Sequence, residues 1–332
     1  GPLPAGRGRP SCPKPNEKAM NVKAKGVVCA AVSAVSYGLN PLCALYLYRD
    51  GMNAGSVLFY RFAFAALLLG LLMAVQRKSF RLTPHEGLVL TVLGLIFAVS
   101  SLTYFVSFHY IAAGIAATIV FMYPVLVALI MALCFKERLS GPMLLAIALT
   151  LLGIGLLYRG DGAGGLSPVG VGLALVSALT YALYIVVVNR STLVMSSVKL
   201  TFYALLVCLM AIALFSLATG APLQGLPTPR AWCFALLLGL VPTVISLVTM
   251  AVAIRCIGST PTAILGALEP VTALVVGVAV FSEVFTPVQG LGIGAILLAV
   301  LLVIAGKSVR RPVLLSRVLR AGRFVWKHWR WR

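Results

Sequence analysis

Acidic residues are scarce in this sequence. Seven Asp and Glu stand against 27 Lys and Arg in 332 residues, and charged side chains make up 10% of the chain. A soluble domain carries about 25%. The three histidines, His85, His109 and His328, are scattered, and Glu269 is the one acid placed well inside an apolar run. An enzyme centre needs clustered acids, or acids beside His, so this composition argues against an enzyme and against a metal or cofactor site. Seven cysteines (Cys12, Cys29, Cys43, Cys134, Cys208, Cys233, Cys256) show no paired spacing. Most lie in apolar runs, which fits small packing residues rather than a disulfide framework. Gly290, Gly292 and Gly294 have no phosphate-loop pattern after them. With Gly153 and Gly155 they are read as sites of close helix approach.

What is present is hydrophobic sequence: 61% of residues, with a mean hydropathy of +1.05. Runs of about 20 apolar residues, each able to cross roughly 30 Å of hydrocarbon, follow one another with little between them. The runs are continuous rather than alternating, which excludes a β-barrel. The fold class expected is an all-α polytopic membrane protein of ten transmembrane helices, at about 26–48, 55–76, 86–108, 114–135, 141–158, 169–188, 198–219, 231–254, 260–281 and 287–306. The net charge of +20 would suggest nucleic acid in a soluble protein. Here the bases sit in tails and short loops. With a cytoplasmic N-terminus, 23 Lys and Arg fall on the inner side and three (Arg49, Arg159, Arg230) on the outer side. That asymmetry places both termini in the cytoplasm. The opening GPLPAGRGRPSCPKPNEK is too polar for a secretory signal; lacking an initiating Met, it reads as a trimmed or processed flexible tail.

The chain repeats itself. A shift of 146 residues lays YPVLVALIMALCFKERL on EPVTALVVGVAVFSEVF, pairing Pro124 with Pro270, Phe135 with Phe281 and Glu137 with Glu283. A shift of 144 lays VSAVSYG on VSALTYA, pairing Tyr37 with Tyr181. Two compatible offsets over several spans indicate duplication. Five spans per copy force the second copy upside down, giving an inverted repeat. The expected organisation is a flexible basic tail over 1–25, repeats over 26–158 and 159–306, and a basic amphipathic tail over 307–332. The charges agree: FKERL at an inner loop becomes FSEVF at an outer one, and His109 at an outer loop becomes Arg255 at an inner one.

The ten spans in two halves, FYRFAFAALLLGLL in span two, the YPV and EPV triplets of spans four and nine, and the FKE and FSE endings resemble the EamA-type branch of the drug/metabolite transporter superfamily. The resemblance covers about residues 24–307. It implies a ten-helix bundle that moves small metabolites or amino acids by alternating access, often outward, in an inner or plasma membrane. Its motifs identify the family and leave the substrate open. A channel or a lipid-translocating protein is the alternative from another class.

Helical spacing points to a cavity. Ser33, Ser36, Tyr37 and Asn40 share a face of span one, with Pro41 next; Ser177, Thr180, Tyr181 and Tyr184 share one in span six. Ser100, Thr103, Tyr104 and Ser107 do so in span three, and Thr243, Ser246 and Thr249 in span eight. Tyr123 in span four and Thr262, Gly266, Glu269 and Thr272 in span nine complete the set. Ser and Thr stripes are equally read as helix contacts in lipid; the stripes bearing Tyr and Asn are assigned to a substrate pathway. Glu269 costs about 2.5–3.5 kcal/mol at mid-span and so faces protein or water. Pro41, Pro124 and Pro270 are expected to break their helices. Three readings of Glu269 stand open: it binds a cationic group of the substrate, exchanges a proton, or braces the kink. Arg61 either snorkels to the outer interface or serves as a gate or anion contact. Glu137 and Glu283 are read as local pairs or caps. In the C-terminal tail, Leu314, Val318, Gly322, Val325, Trp326 and Trp329 oppose Arg317, Arg320, Arg323, Lys327 and Arg330. This suits a helix on anionic lipid or a disordered basic tail. No nucleic-acid partner is expected.

Overall fold

The computed structural model describes residues 17–135, 141–159, 166–191 and 195–309. The readings of residues 1–16, of the tail beyond 309 and of Glu137 lie outside the described residues; 17–25, expected within the flexible tail, open the first helix, and 307–309 end the last. Nine helical segments among them are long and apolar enough to cross a membrane, and Gly141–Leu157 is a shorter apolar helix. Together they are the ten spans of an integral membrane protein.

Span one comprises α1 (Glu17–Gly38) and α2 (Asn40–Arg49); spans two and three are α3 (Ala54–Val75) and α4 (Pro84–Ser107). Span four comprises α5 (Ala113–Val120) and α6 (Tyr123–Phe135), and span five is α7 (Gly141–Arg159). Spans six and seven are α8 (Pro168–Arg190) and α9 (Ser197–Thr219). Span eight joins α10 (Pro229–Gly239) and α11 (Ser246–Ile257) through a π-helical turn, Leu240–Ile245. Span nine comprises α12 (Ser259–Leu265) and α13 (Leu268–Phe281), and span ten is α14 (Pro287–Val309). The starts are written in the sequence. Asn53, Thr83, Ser167, Ser196 and Thr228 each accept a backbone N–H three residues on, and Pro follows three of these caps at the first helical position, where no N–H is needed.

Packing follows a pseudo-twofold. α1 lies along α11 as α4 lies along α8; α3 packs on α9, α7 on α14, and α5 on α13. Each of these pairs joins one repeat to the other. Within α7 and α14, Gly153 and Gly292 give the close approach: a Cβ on either would come within 2.8 Å of the other's carbonyl oxygen. Gly155, Gly290 and Gly294 face open space, so the expected glycine contact narrows to two residues. Large apolar side chains such as Leu67, Leu71, Leu151, Leu217 and Leu291 point outward, as in helices that are apolar all round and bathed in lipid. Glu17 and Val309 lie at one end of the bundle, here the tail end; Asp50 and Arg230 lie at the other, the far end.

Candidate functional site

Four spans are interrupted near mid-membrane, and proline explains each break. A proline lacks its N–H and strands the carbonyl four residues earlier. Pro41 strands Tyr37 O, which accepts instead from Asn40 Nδ2 at 2.8 Å. Pro270 strands Gly266 O, which accepts from Glu269 N at 2.9 Å. Pro124 lies just past the break at Phe121 and Met122. The fourth break, in the π turn, was not among those expected. Its Pro242 strands Leu238 O, and Thr243 Oγ1 donates to that oxygen at 3.3 Å. The signal was present in LVPTVI, where a proline sits inside an apolar run.

The breaks surround a cavity between the repeats. Repeat one contributes Tyr37 from α1, Arg61 from α3, Tyr104 from α4 and Tyr123 at the start of α6. Repeat two contributes Tyr181 from α8, Ser246 and Met250 from α11, and Thr262 and Glu269 from span nine. Of the residues assigned to a pathway, Tyr37, Tyr104, Tyr123, Tyr181 and Glu269 therefore meet at one cavity. Tyr184 lines a smaller neighbouring cavity, which shares Tyr37, Arg61, Phe97 and Tyr181 with the first. Asn40 lines neither. It is fully buried, braces the span-one break through Nδ2, and its Oδ1 has no partner among the described residues. Its amide donor is taken by the carbonyl that Pro41 strands, so it braces the helix break.

Arg61 is 2% exposed, so it does not snorkel to the interface. Its guanidinium carbon stands 5.3 Å from the Phe105 ring centre and 6.0 Å from that of Tyr37. Its Nε donates to Thr243 Oγ1 at 3.2 Å. The same hydroxyl caps the carbonyl freed by Pro242, so Arg61 is tied to the break in span eight. Under the 146 shift Arg61 and Thr243 correspond to Val207 and Phe97. The polar tie exists on one side of the pseudo-twofold and is apolar on the other.

The aromatic wall is continuous. Tyr123 meets Tyr181 edge to face at 4.8 Å, and Phe97 stands 5.4 Å from Tyr184. Tyr104 packs on Phe108 at 4.7 Å toward the far end. Glu269 and Tyr123 are equivalent under the shift, so the two repeats present a carboxylate and a phenol at related points of one cavity. Among the described residues the Glu269 side chain takes no hydrogen bond.

The serines do something different. Ser33 Oγ donates to Ser246 O at 2.8 Å, joining α1 to α11. Ser100 and Ser177 exchange hydroxyl-to-carbonyl bonds at 3.0 and 2.8 Å, joining α4 to α8. The clasps are symmetry mates, and both line the cavity while spending their donors on helix contacts. Thr103, Thr180, Thr249 and Thr272 bond back to carbonyls of their own helices, as Thr in a helix commonly does. Glu283 Oε1 accepts from Ala113 N, the first residue of α5, at 2.9 Å; it caps a helix of the opposite repeat.

At the far end Arg230 forms an ion pair with Asp50, and Thr228 adds a weaker contact. The Arg230 hydrogen bond holds the Asp50 carboxyl below its usual range. Gln224 bridges the same turn: its N–H donates to Ser56 Oγ at 2.8 Å and its Nε2 to Gly51 O at 3.1 Å. The far end is thus strapped from repeat two onto repeat one.

Residues 24–159 and 168–305 match the model of the EamA-like transporter family. The chain is similar to an uncharacterized transporter of Archaeoglobus fulgidus, with 29% identity over 289 residues, covering 84% of this chain and 95% of the other. A solved crystal structure at 18% identity superposes with a TM-score of 0.57, covering 92% of this chain and 99% of that one. The latter likeness speaks for the fold alone.

Proposed function

This chain belongs to the EamA-like transporter family, and from that premise we propose that it is a secondary transporter exporting small polar metabolites or amino acids by alternating access. The observation that carries this reading is the cavity between the repeats. Its charged lining among the described residues is one guanidinium, Arg61, and one carboxylate, Glu269, each from a different repeat. Opposite charges held in an aromatic cavity complement a zwitterion, and rocking the repeats would change which end reaches it.

The Glu269 carboxylate takes no protein hydrogen bond among the described residues, which favours contact with substrate or a proton over bracing the kink. The Lys and Arg distribution supports cytoplasmic tails in an inner or plasma membrane, with the basic C-terminal tail against anionic lipid. The cavity is lined by α1 and α11, the tail-end segments of broken spans one and eight, which supports loading from the cytoplasm.

The test is counterflow in proteoliposomes with a panel of labelled amino acids and related zwitterions. Saturable exchange of at least one is expected, with loss in Glu269→Gln and Arg61→Gln at equal reconstitution. No exchange above empty liposomes across the panel would refute this substrate class. Flux that fails to saturate would favour a channel.

A further inference from the structure

At each end of the bundle an arginine that is the last residue of one helix lies over a phenylalanine that is the last residue of another. At the far end Arg49, closing α2, has its guanidinium carbon 4.8 Å from the ring centre of Phe281, closing α13. Tyr46 stands 5.5 Å from the same ring. At the tail end Arg190, closing α8, lies 3.9 Å from the ring centre of Phe135, closing α6. The two sites are related by the duplication. Phe135 corresponds to Phe281 under the 146 shift, and Arg190 to Tyr46 under the 144 shift. In repeat one the arginine comes three residues, nearly one turn, after that tyrosine.

Their placement ties them to the cavity. α6 begins at the cavity with Tyr123 and ends at Phe135; α13 passes Glu269 at the cavity and ends at Phe281. Each stretch spans twelve residues, about 18 Å of helix, and each starts at a break in its span. Each is therefore an arm hinged beside the cavity, with an aromatic tip at one end of the bundle. Each tip meets an arginine of the other repeat: α13 reaches α2, and α6 reaches α8.

We propose that these contacts are the two gates of the cavity, Phe281 with Arg49 and Tyr46 at the far end and Phe135 with Arg190 at the tail end, released in turn. This rests on the alternating-access reading. A cation over an aromatic ring suits the task, since at an exposed site it is weak enough to break and reform in each cycle. The gates are unequal. At the far end Tyr46 also stacks on Phe234 at 4.6 Å, and the Asp50–Arg230 pair adjoins it. Among the described residues the far gate is the more firmly held, so the cavity communicates more readily with the tail end.

The experiment uses a cysteine at cavity-lining Ser101, which makes no hydrogen bond among the described residues, with the seven native cysteines replaced. A membrane-impermeant methanethiosulfonate reagent is applied to intact cells and to inside-out vesicles. The wild-type gates should give faster modification from the tail side. Phe281→Leu and Arg49→Gln should raise far-side modification by about threefold, the shift expected from losing one exposed cation–π contact, and lower it from the tail side. Phe135→Leu and Arg190→Gln should do the reverse. Leucine preserves bulk, so folding is retained. Side-selective rates indifferent to all four substitutions would overturn the gate assignment and leave alternating access standing. Equal rates from both sides before any gate substitution would overturn the inequality of the gates, and a rise on one side with no fall on the other would overturn alternating access itself.

Discussion

Adding one methyl group at Gly38 should destabilise this protein, and the geometry sets the size. Gly38 ends α1 where it crosses the break in span nine. A Cβ there would stand 2.5 Å from the Glu269 carbonyl oxygen and 2.6 Å from Thr272 Cβ, against 3.4–4 Å for ordinary contact. The overlap approaches about 1 Å, and the first obstacle is backbone, which cannot turn aside as a side-chain tip can. Relief requires moving α13, and with it the carboxylate of Glu269. Overpacking of this kind costs about 1–3 kcal/mol. The control is Gly172→Ala in α8, where the added Cβ meets nothing within 4 Å and the gain in helix propensity is about 0.5–1 kcal/mol. The assay is thermal unfolding in detergent, followed as the fraction remaining monodisperse after heating. Gly38→Ala should melt below wild type and Gly172→Ala at or above it. A Gly38→Ala protein as stable as Gly172→Ala would refute the reasoning. At the symmetry-related crossing, Ala182 packs among Val127, Val186 and Tyr123, so the second repeat accommodates the methyl that the first cannot.

The serine clasp between α4 and α8 should show a coupling of about 0.6 kcal/mol, at most about 1.7, in a Ser100→Ala and Ser177→Ala double-mutant cycle; strictly additive losses would sink it. Glu283→Ala should cost about 1 kcal/mol by leaving Ala113 N–H uncapped, with Glu283→Gln intermediate in chemical unfolding; equal stability of all three would contradict the cap. The Asp50 carboxyl is lowered by Arg230, so the folded protein holds that proton more weakly than the unfolded chain does. Its stabilisation is complete above the ordinary Asp value and disappears as pH falls through the lowered one. The stability gap between wild type and Asp50→Asn should therefore close on acidification, and a gap constant from neutral to strongly acidic pH would rule out the ion pair as its source.

Much of this architecture was legible in one dimension, and for clear reasons. Span length follows from bilayer thickness, and helix starts from Asn, Ser and Thr caps. The duplication is visible because spans four and nine keep proline and phenylalanine in register. The convergence of Tyr37, Tyr104, Tyr123, Tyr181 and Glu269 could be anticipated because symmetry-related helices carry matching faces. Asn40 could not be sorted from them: it shares the helical face of Tyr37, and only the stranded carbonyl at the Pro41 break shows where its amide donates. The π turn at Pro242 was legible as a proline in an apolar run, with Thr243 directly after it to supply a donor.

By itself the sequence determined the membrane, the count of spans and the inverted pairing, since these depend on local hydropathy and on an odd number of crossings. The three-dimensional arrangement decided which polar groups face the cavity and which are spent on packing. Ser100 and Ser177 lie 77 residues apart and Arg61 and Thr243 lie 182 apart; whether such groups bond to each other or face a cavity depends on how helices from opposite repeats rotate about their axes. Hydropathy is nearly uniform around these helices, so nothing in their periodicity fixes that rotation. Close packing between the repeats does.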